Sequence, residues 1–337
     1  MPAIISHWLL GKRVLPQLRT RDDIGSLDEQ CFLWGCQGPD ILFFQRLMPW
    51  RRGQNVRKYG HIIHCDRPSL VFTALAELLD SCDISHYSSI LSYALGICCH
   101  YCFDRTTHPY ITWLEKQMRA RDSRGPKYHY HGEIESMLDI MLLRRDTGRL
   151  PSDMKLCDCL PLSDTVRNTA AQVWTSLLRS MYRVELAPQY ATLLCDDMRE
   201  TFTLLDNSSM VRRRLVAGVE RLVGKKDGPA SAYMRPTCES LRWDYGNLLH
   251  RQWHNIKEPD RTGTADWYEL VDLSEQRSLE MFDFFMHTLR PPTDDNGDFI
   301  PEDRLARIRH AFLQYTQERS FSHDTKEYQT VADEAAL

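Results

Sequence analysis

The sequence predicts an all-α protein. Three observations predict it. Apolar residues recur at helical spacing along most of the 337-residue chain, alternating strand-like runs are scarce, and Gly, Pro or Asn separates one periodic stretch from the next. The first helix covers residues 7–18 and is expected to end near Pro16. A short helical stretch covers 27–35. The Gly38-Pro39 pair makes 37–40 a turn, an apolar run follows at 41–48, and 49–59 is a polar loop. Residues 68–79 form an amphipathic helix with Pro68 in its first turn. Residues 87–103 are apolar on nearly every side, which predicts a buried central helix. Pro109 opens another helix that runs to Met118. Gly125 and Pro126 mark a loop at 121–128, and 133–145 is helical again.

The pattern breaks at 146–161, with Gly148, Pro151 and Pro161, and this places a domain boundary near residue 150. Beyond it, helices are expected over 164–184, 189–205, 210–222, 238–256, 266–289 and 302–318. The expected organisation is a helical domain at 1–150, a helical region of unassigned role at 151–320, and a frayed polar tail at 321–337.

Charge narrows the function classes. The 42 basic and 46 acidic residues give a net charge of −4, so no global basic field gathers nucleic acid, and nucleic acid is not a favoured partner. The local cluster Arg51, Arg52, Arg57 and Lys58 reads as a solvated face. No basic stretch precedes the apolar N-terminal residues, and His7 interrupts them, so no secretory signal is expected. No window approaches the roughly 18 apolar residues of a membrane span. The 11 cysteines, an odd number without a signal peptide, read as reduced thiols, and a cytoplasmic location is expected. Cys98, Cys99 and Cys102 lie inside an apolar helical pattern, where Cys packs as a small hydrophobe.

Eight of the 13 histidines lie before residue 132. A zinc site needs imidazole nitrogens and carboxylate oxygens to converge on one point. His100-x-x-x-Asp104-x-x-x-His108 places its first two groups on one helix face. Alone, that pair reads equally as a core histidine with a hydrogen-bonded aspartate. His131-x-x-x-Glu135 repeats the spacing, and alone reads more simply as surface or cap pairing. Two short segments add Asp40, after Gly38-Pro39, and His61 and His64, with helix capping as the alternative role of Asp40. Jointly these supply seven or eight hard or borderline ligands within 135 residues, on elements spaced to form a multi-helix bundle around a metal cluster.

In order and spacing, His7, Asp40, His64, His100, Asp104, His108, His131 and Glu135 resemble the zinc-dependent phospholipase C family. The start Met-Pro-Ala-Ile-x-x-His and the stretch Gly-Pro-Asp-Ile-Leu-Phe-Phe resemble its intracellular bacterial branch. The resemblance covers about residues 1–146. It implies that Asp40, His64, His100 and Asp104 hold one Zn2+, that His108, His131 and Glu135 hold a second, and that His7 with a bridging Asp104 holds a third. It also implies that Asp40 is the catalytic base or orients the attacking water. Of the two neighbouring histidines, His64 is preferred to His61 because Asp66 and Pro68 follow it.

Clustered zinc suits phosphodiester hydrolysis by activated water, with a phospholipid as one candidate substrate. Two other functions fit the same residues. A single-strand nuclease or nucleotidase needs aromatic platforms, for which Trp8, Trp34, Trp50 and Tyr59 are candidates, although such rings are usually core. A non-enzymatic helical scaffold needs only a closed, structural metal cluster. The later histidines show no comparable pairing with carboxylates, so the second half is expected to flank the site without ligating.

Overall fold

A computed structural model describes residues 4–48, 50–125, 128–205, 215, 218, 219, 238, 240–290 and 303–322. The expected helix at 210–222 lies almost wholly outside them, as does 323–337 of the tail. The described chain is all-α apart from one two-residue antiparallel bridge, Trp253–His254 with Thr262–Gly263. The helices are α1 (Ile4–Arg19), α2 (Glu29–Gly35), α3 (Ile41–Phe44), α4 (Arg57–Cys65), α5 (Pro68–Ser81), α6 (Ile84–Arg121), α7 (Tyr130–Thr147), α8 (Leu156–Cys159), α9 (Asp164–Tyr182), α10 (Pro188–Ala191), α11 (Leu194–Leu205), α12 (Trp267–Leu289) and α13 (Arg304–Thr316).

The central helix is longer than the sequence predicts. Pro109 does not start a new helix: α6 runs through it for 38 residues. Proline removes one backbone donor and crowds the preceding turn. Burial on both sides of Pro109 (Thr106 and Thr107 before it, Tyr110 and Ile111 after it) holds the rod together. In the same way α1 continues past Pro16. α4 begins at Arg57, inside the stretch expected as loop, and carries His61 and His64.

α6 is packed by α2, α7, α9 and α12, and α1 packs on α6, α7 and α12. The α2–α6 crossing brings backbone against backbone. A Cβ on Gly35 would stand 2.2 Å from the Tyr93 carbonyl oxygen, and one on Gly96 would stand 2.3 Å from that of Phe32. Only glycine permits this approach. One turn beyond Gly96 lies His100.

The helix expected over 238–256 is replaced, where described, by turns and the first bridge strand. Local side chains compete with helical bonding there. Asp244 accepts from the backbone N–H groups of Leu248 and Leu249, and Asn247, in the left-handed region, donates to the carbonyls of Arg251, Thr264 and Ala265. The expected frayed tail is also corrected at its start. Phe321 is 1% exposed, packed on Phe72, Tyr101, His64 and His100, and the Ser322 N–H donates to the His64 carbonyl at 3.2 Å. Its apolar ring and this bond fix the segment that the polar composition hides. One continuous core runs from Ile4 to Phe321, and α9 and α12, beyond residue 150, pack directly on α2, α5 and α6.

Candidate metal centre

Five elements aim side chains into one cavity of about 110 Å³: His7 from α1, Asp40 from the turn Gly38–Asp40, His64 from α4, Asp104 and His108 from α6, and His131 and Glu135 from α7. His100 stands directly behind, with Nε2 3.4 Å from that of His64. His61 lines the same cavity but lies outside the ligand-spaced groups. Three such groups form: His7, His100 and Asp104; Asp40, His64 and His100; and His108, His131 and Glu135, with the ligand atoms in each within 4.8 Å of one another.

Asp104 is the hub. Its carboxylate oxygens lie 3.3 Å from His7 Nε2, 3.5 Å from His64 Nε2, 3.2 Å from His100 Nε2 and 3.6 Å from His108 Nδ1. Asp40 lies 3.2 Å from His64 Nε2 and 3.9 Å from His7 Nε2. Its carboxylate makes no cap to α3 and turns to the cavity instead. Gly38, at φ +49°, makes room for this arrangement, because a Cβ there would stand 2.4 Å from the His100 ring.

Backbone carbonyls set the imidazole tautomers. His64 Nδ1 faces the Gly60 carbonyl at 2.5 Å and His100 Nδ1 faces that of Cys36 at 3.1 Å; a carbonyl can only accept, so each Nδ1 is a donor there and each Nε2 is turned toward the carboxylates. His131 Nδ1 pairs with Glu115 at 3.1 Å and its Nε2 with Glu135 at 3.2 Å. Burial pushes His131 down, but the carboxylates of Glu135 and Glu115 outweigh it and raise the imidazole to about 10. The same contacts overcome burial on Glu115 and Glu135 and hold both carboxyls down to about 2. Burial lowers His108, whereas on His7 the contacts with Asp104 outweigh burial and raise it.

Divalent zinc fits these donors. Asp40 and Asp104 are buried, and among the described residues all their ion-pair partners are imidazoles, which leaves two buried carboxylates without a permanent cation. His7 Nδ1 is buried with no hydrogen-bond partner among the described residues. Mixed imidazole and carboxylate donors are zinc ligands.

Two positioning residues escaped the sequence. Glu115 orients His131 from α6. Asp139 of α7 accepts from the Ser6 hydroxyl at 2.7 Å and the Ser6 N–H at 2.8 Å, anchoring α1 beside His7. The described later histidines stay out of the cavity. His250 lies instead in an exposed group with Asp266 and Glu269, which cap α12. Trp34 and Tyr59 are core residues and not stacking platforms. Among the described residues no cysteine is joined in a disulfide, and Cys98, Cys99 and Cys102 are buried, as their apolar surroundings predict.

Fold and site together define an all-α protein with a buried histidine–carboxylate centre suited to divalent cations. The family model for zinc dependent phospholipase C matches residues 6–184, more than half of the chain and every one of the eight converging residues. The chain belongs to this family. Comparison with curated proteins and comparison with solved structures each return no match. Among the described residues, no helix is long and apolar enough to cross a membrane.

Two predictions follow from the geometry. Elemental analysis of the purified protein is expected to find at least two transition-metal ions per chain, and chelation is expected to lower the melting temperature by about 5 °C or more, because binding that needs the folded site stabilises the fold. Less than one ion per chain, or melting indifferent to chelator, contradicts this. Glu115→Gln is expected to weaken metal affinity about 10- to 100-fold, read by competition with a chromophoric chelator, since it loosens His131 without touching the cation. Unchanged affinity removes Glu115 from the centre.

Proposed function

We propose that the protein is a phosphodiester hydrolase of phospholipase C type, holding two or three zinc ions on His7, Asp40, His64, His100, Asp104, His108, His131 and Glu135. The observation that carries this is the convergence of three ligand groups on one small cavity, with Asp104 shared among four imidazoles. When bound, zinc supplies Lewis acidity toward water and toward a phosphoryl oxygen. Asp104 has an oxygen for each of two neighbouring sites. Asp40 stands at the cavity wall with one oxygen near His64 and the other near His7, placed to take the proton of the attacking water. Phe43 stacks on His64 with ring centroids 5.5 Å apart and gives that side of the cavity an apolar wall. Asp139 and Glu115 hold His7 and His131 in position.

The assay is hydrolysis of a chromogenic phosphodiester at neutral pH with added zinc. Phosphatidylcholine and single-stranded DNA then separate the lipase reading from the nuclease reading. Turnover of the chromogenic diester and the lipid, and not of DNA, is the expected result. A metal-loaded protein inactive on every diester points to a structural cluster.

A further inference from the structure

Beside the candidate metal cavity lies a larger one of about 420 Å³. Between them lies a small third cavity of about 30 Å³, the neck. His108 and Ser322 line both the metal cavity and the neck, and Arg105, Pro109 and Asn255 line both the neck and the larger cavity. His108, Arg105 and Tyr101 follow one another along a single face of α6, so the larger cavity begins within about 10 Å of His108 along the helix axis.

The wall of this second cavity is cationic. Arg105, Arg261, Arg277 and Arg319 line it against one carboxylate, Glu280. Arg261 is paired with Glu258 at 2.7 Å, and Glu280 accepts from Gln276 at 2.8 Å. Arg277 donates to the Thr106 hydroxyl at 2.9 Å, and among the described residues neither Arg277 nor Arg319 is ion-paired with a carboxylate. Guanidinium groups gathered around one space repel each other unless an anion lies between them, and their planar forks match phosphate oxygens.

We propose that this arginine-lined cavity binds a second, phosphate-class anion: a phosphomonoester on the headgroup of the substrate, or free inorganic phosphate. As a headgroup subsite it rests on the phosphodiesterase reading; as an anion site it does not. A neck at the metal side fits a substrate whose scissile phosphate lies over the cations while a second phosphate reaches the arginines.

The test uses the full-length, zinc-loaded protein and the double variant Arg277→Gln, Arg319→Gln, with thermal melting to check folding and Arg319→Gln alone should the double variant melt early. Calorimetry with inorganic phosphate is expected to show one binding event lost or weakened about tenfold or more in the variant, while any event at the metals persists. Phosphate binding identical to wild type, with both proteins folded, overturns the proposal. A matched pair of short-chain phosphatidylinositols, with and without a headgroup phosphomonoester, then identifies the source. If the wild type favours the phosphorylated member by about tenfold in KM and the variant does not, the anion is the headgroup's. If phosphate binding falls but neither lipid shows a preference, the anion is free phosphate. Loss of phosphate binding in the variant, with no turnover of any diester by wild type, keeps the anion site and removes the phosphodiesterase reading.

Discussion

Asp104→Ala is expected to remove at least one metal ion per chain and to lower kcat/KM on a chromogenic phosphodiester by about 10³-fold or more, the scale of the several kcal/mol that metal charge contributes to a phosphoryl transition state. Among the described residues no other side chain faces four imidazoles, those of His7, His64, His100 and His108, all within 3.6 Å. Burial pushes the Asp104 carboxyl up, yet its contacts with His100, His108 and His7 outweigh burial and hold it well below the usual carboxylate range, so it is ionised and ready to ligate. Elemental analysis and initial rates, with circular dichroism to confirm that α6 persists, read the outcome. Metal content equal to wild type would reduce Asp104 to a hydrogen-bond partner of His100. Asp104→Asn, which keeps one acceptor oxygen, should fall between.

Asp40→Asn is expected to lose about 10²–10⁴-fold in rate, the usual worth of general-base assistance, while keeping most of its metal. Asn preserves shape and one acceptor oxygen but cannot take a proton. His64 and His100 remain to ligate, with Asp104 beside them. Rates equal to wild type would take Asp40 out of the chemistry. Equal loss of metal and of rate would make it a ligand only. The absence of a cap bond from Asp40 to α3 means that the substitution should cost the fold little.

The fold class was legible because buried faces at helical period are long and repeated. The site was legible in outline because His100 with Asp104 and His131 with Glu135 each occupy adjacent turns of one face. Glu115 was hidden by a single proline. Once α6 is known to run unbroken through Pro109, Glu115 falls on the stripe of His100, Asp104 and His108. With the helix divided there, no face connects them. Asp139 sits one turn beyond Glu135 on α7, and its signal was a carboxylate continuing the stripe into an apolar stretch. Phe321 was lost for another reason: one aromatic in a polar tail carries no periodicity, and its burial is set by α5 and α6 far away in the chain. The 238–256 region departs from its helical spacing because Asp244 and Asn247 bond locally to the backbone.

A cation accepts donor positions only within a few tenths of an ångström, about ±0.2 Å, a tolerance tighter than most side-chain packing maintains. Gly35 and Gly96 meet that demand with a hard stop. Where two backbones touch there is no rotamer to adjust and no methyl group to compress, so α2 and α6 share a fixed reference surface. His100 is one turn along α6 from it, and the Gly38–Asp40 turn follows closely on the end of α2, so both segments that carry proposed ligands are dimensioned from the same contact. The geometry of the proposed coordination is therefore gauged by the main chain. A methyl group added at either glycine is expected to displace His100 and Asp40 relative to each other, leaving every proposed ligand intact and the centre out of true.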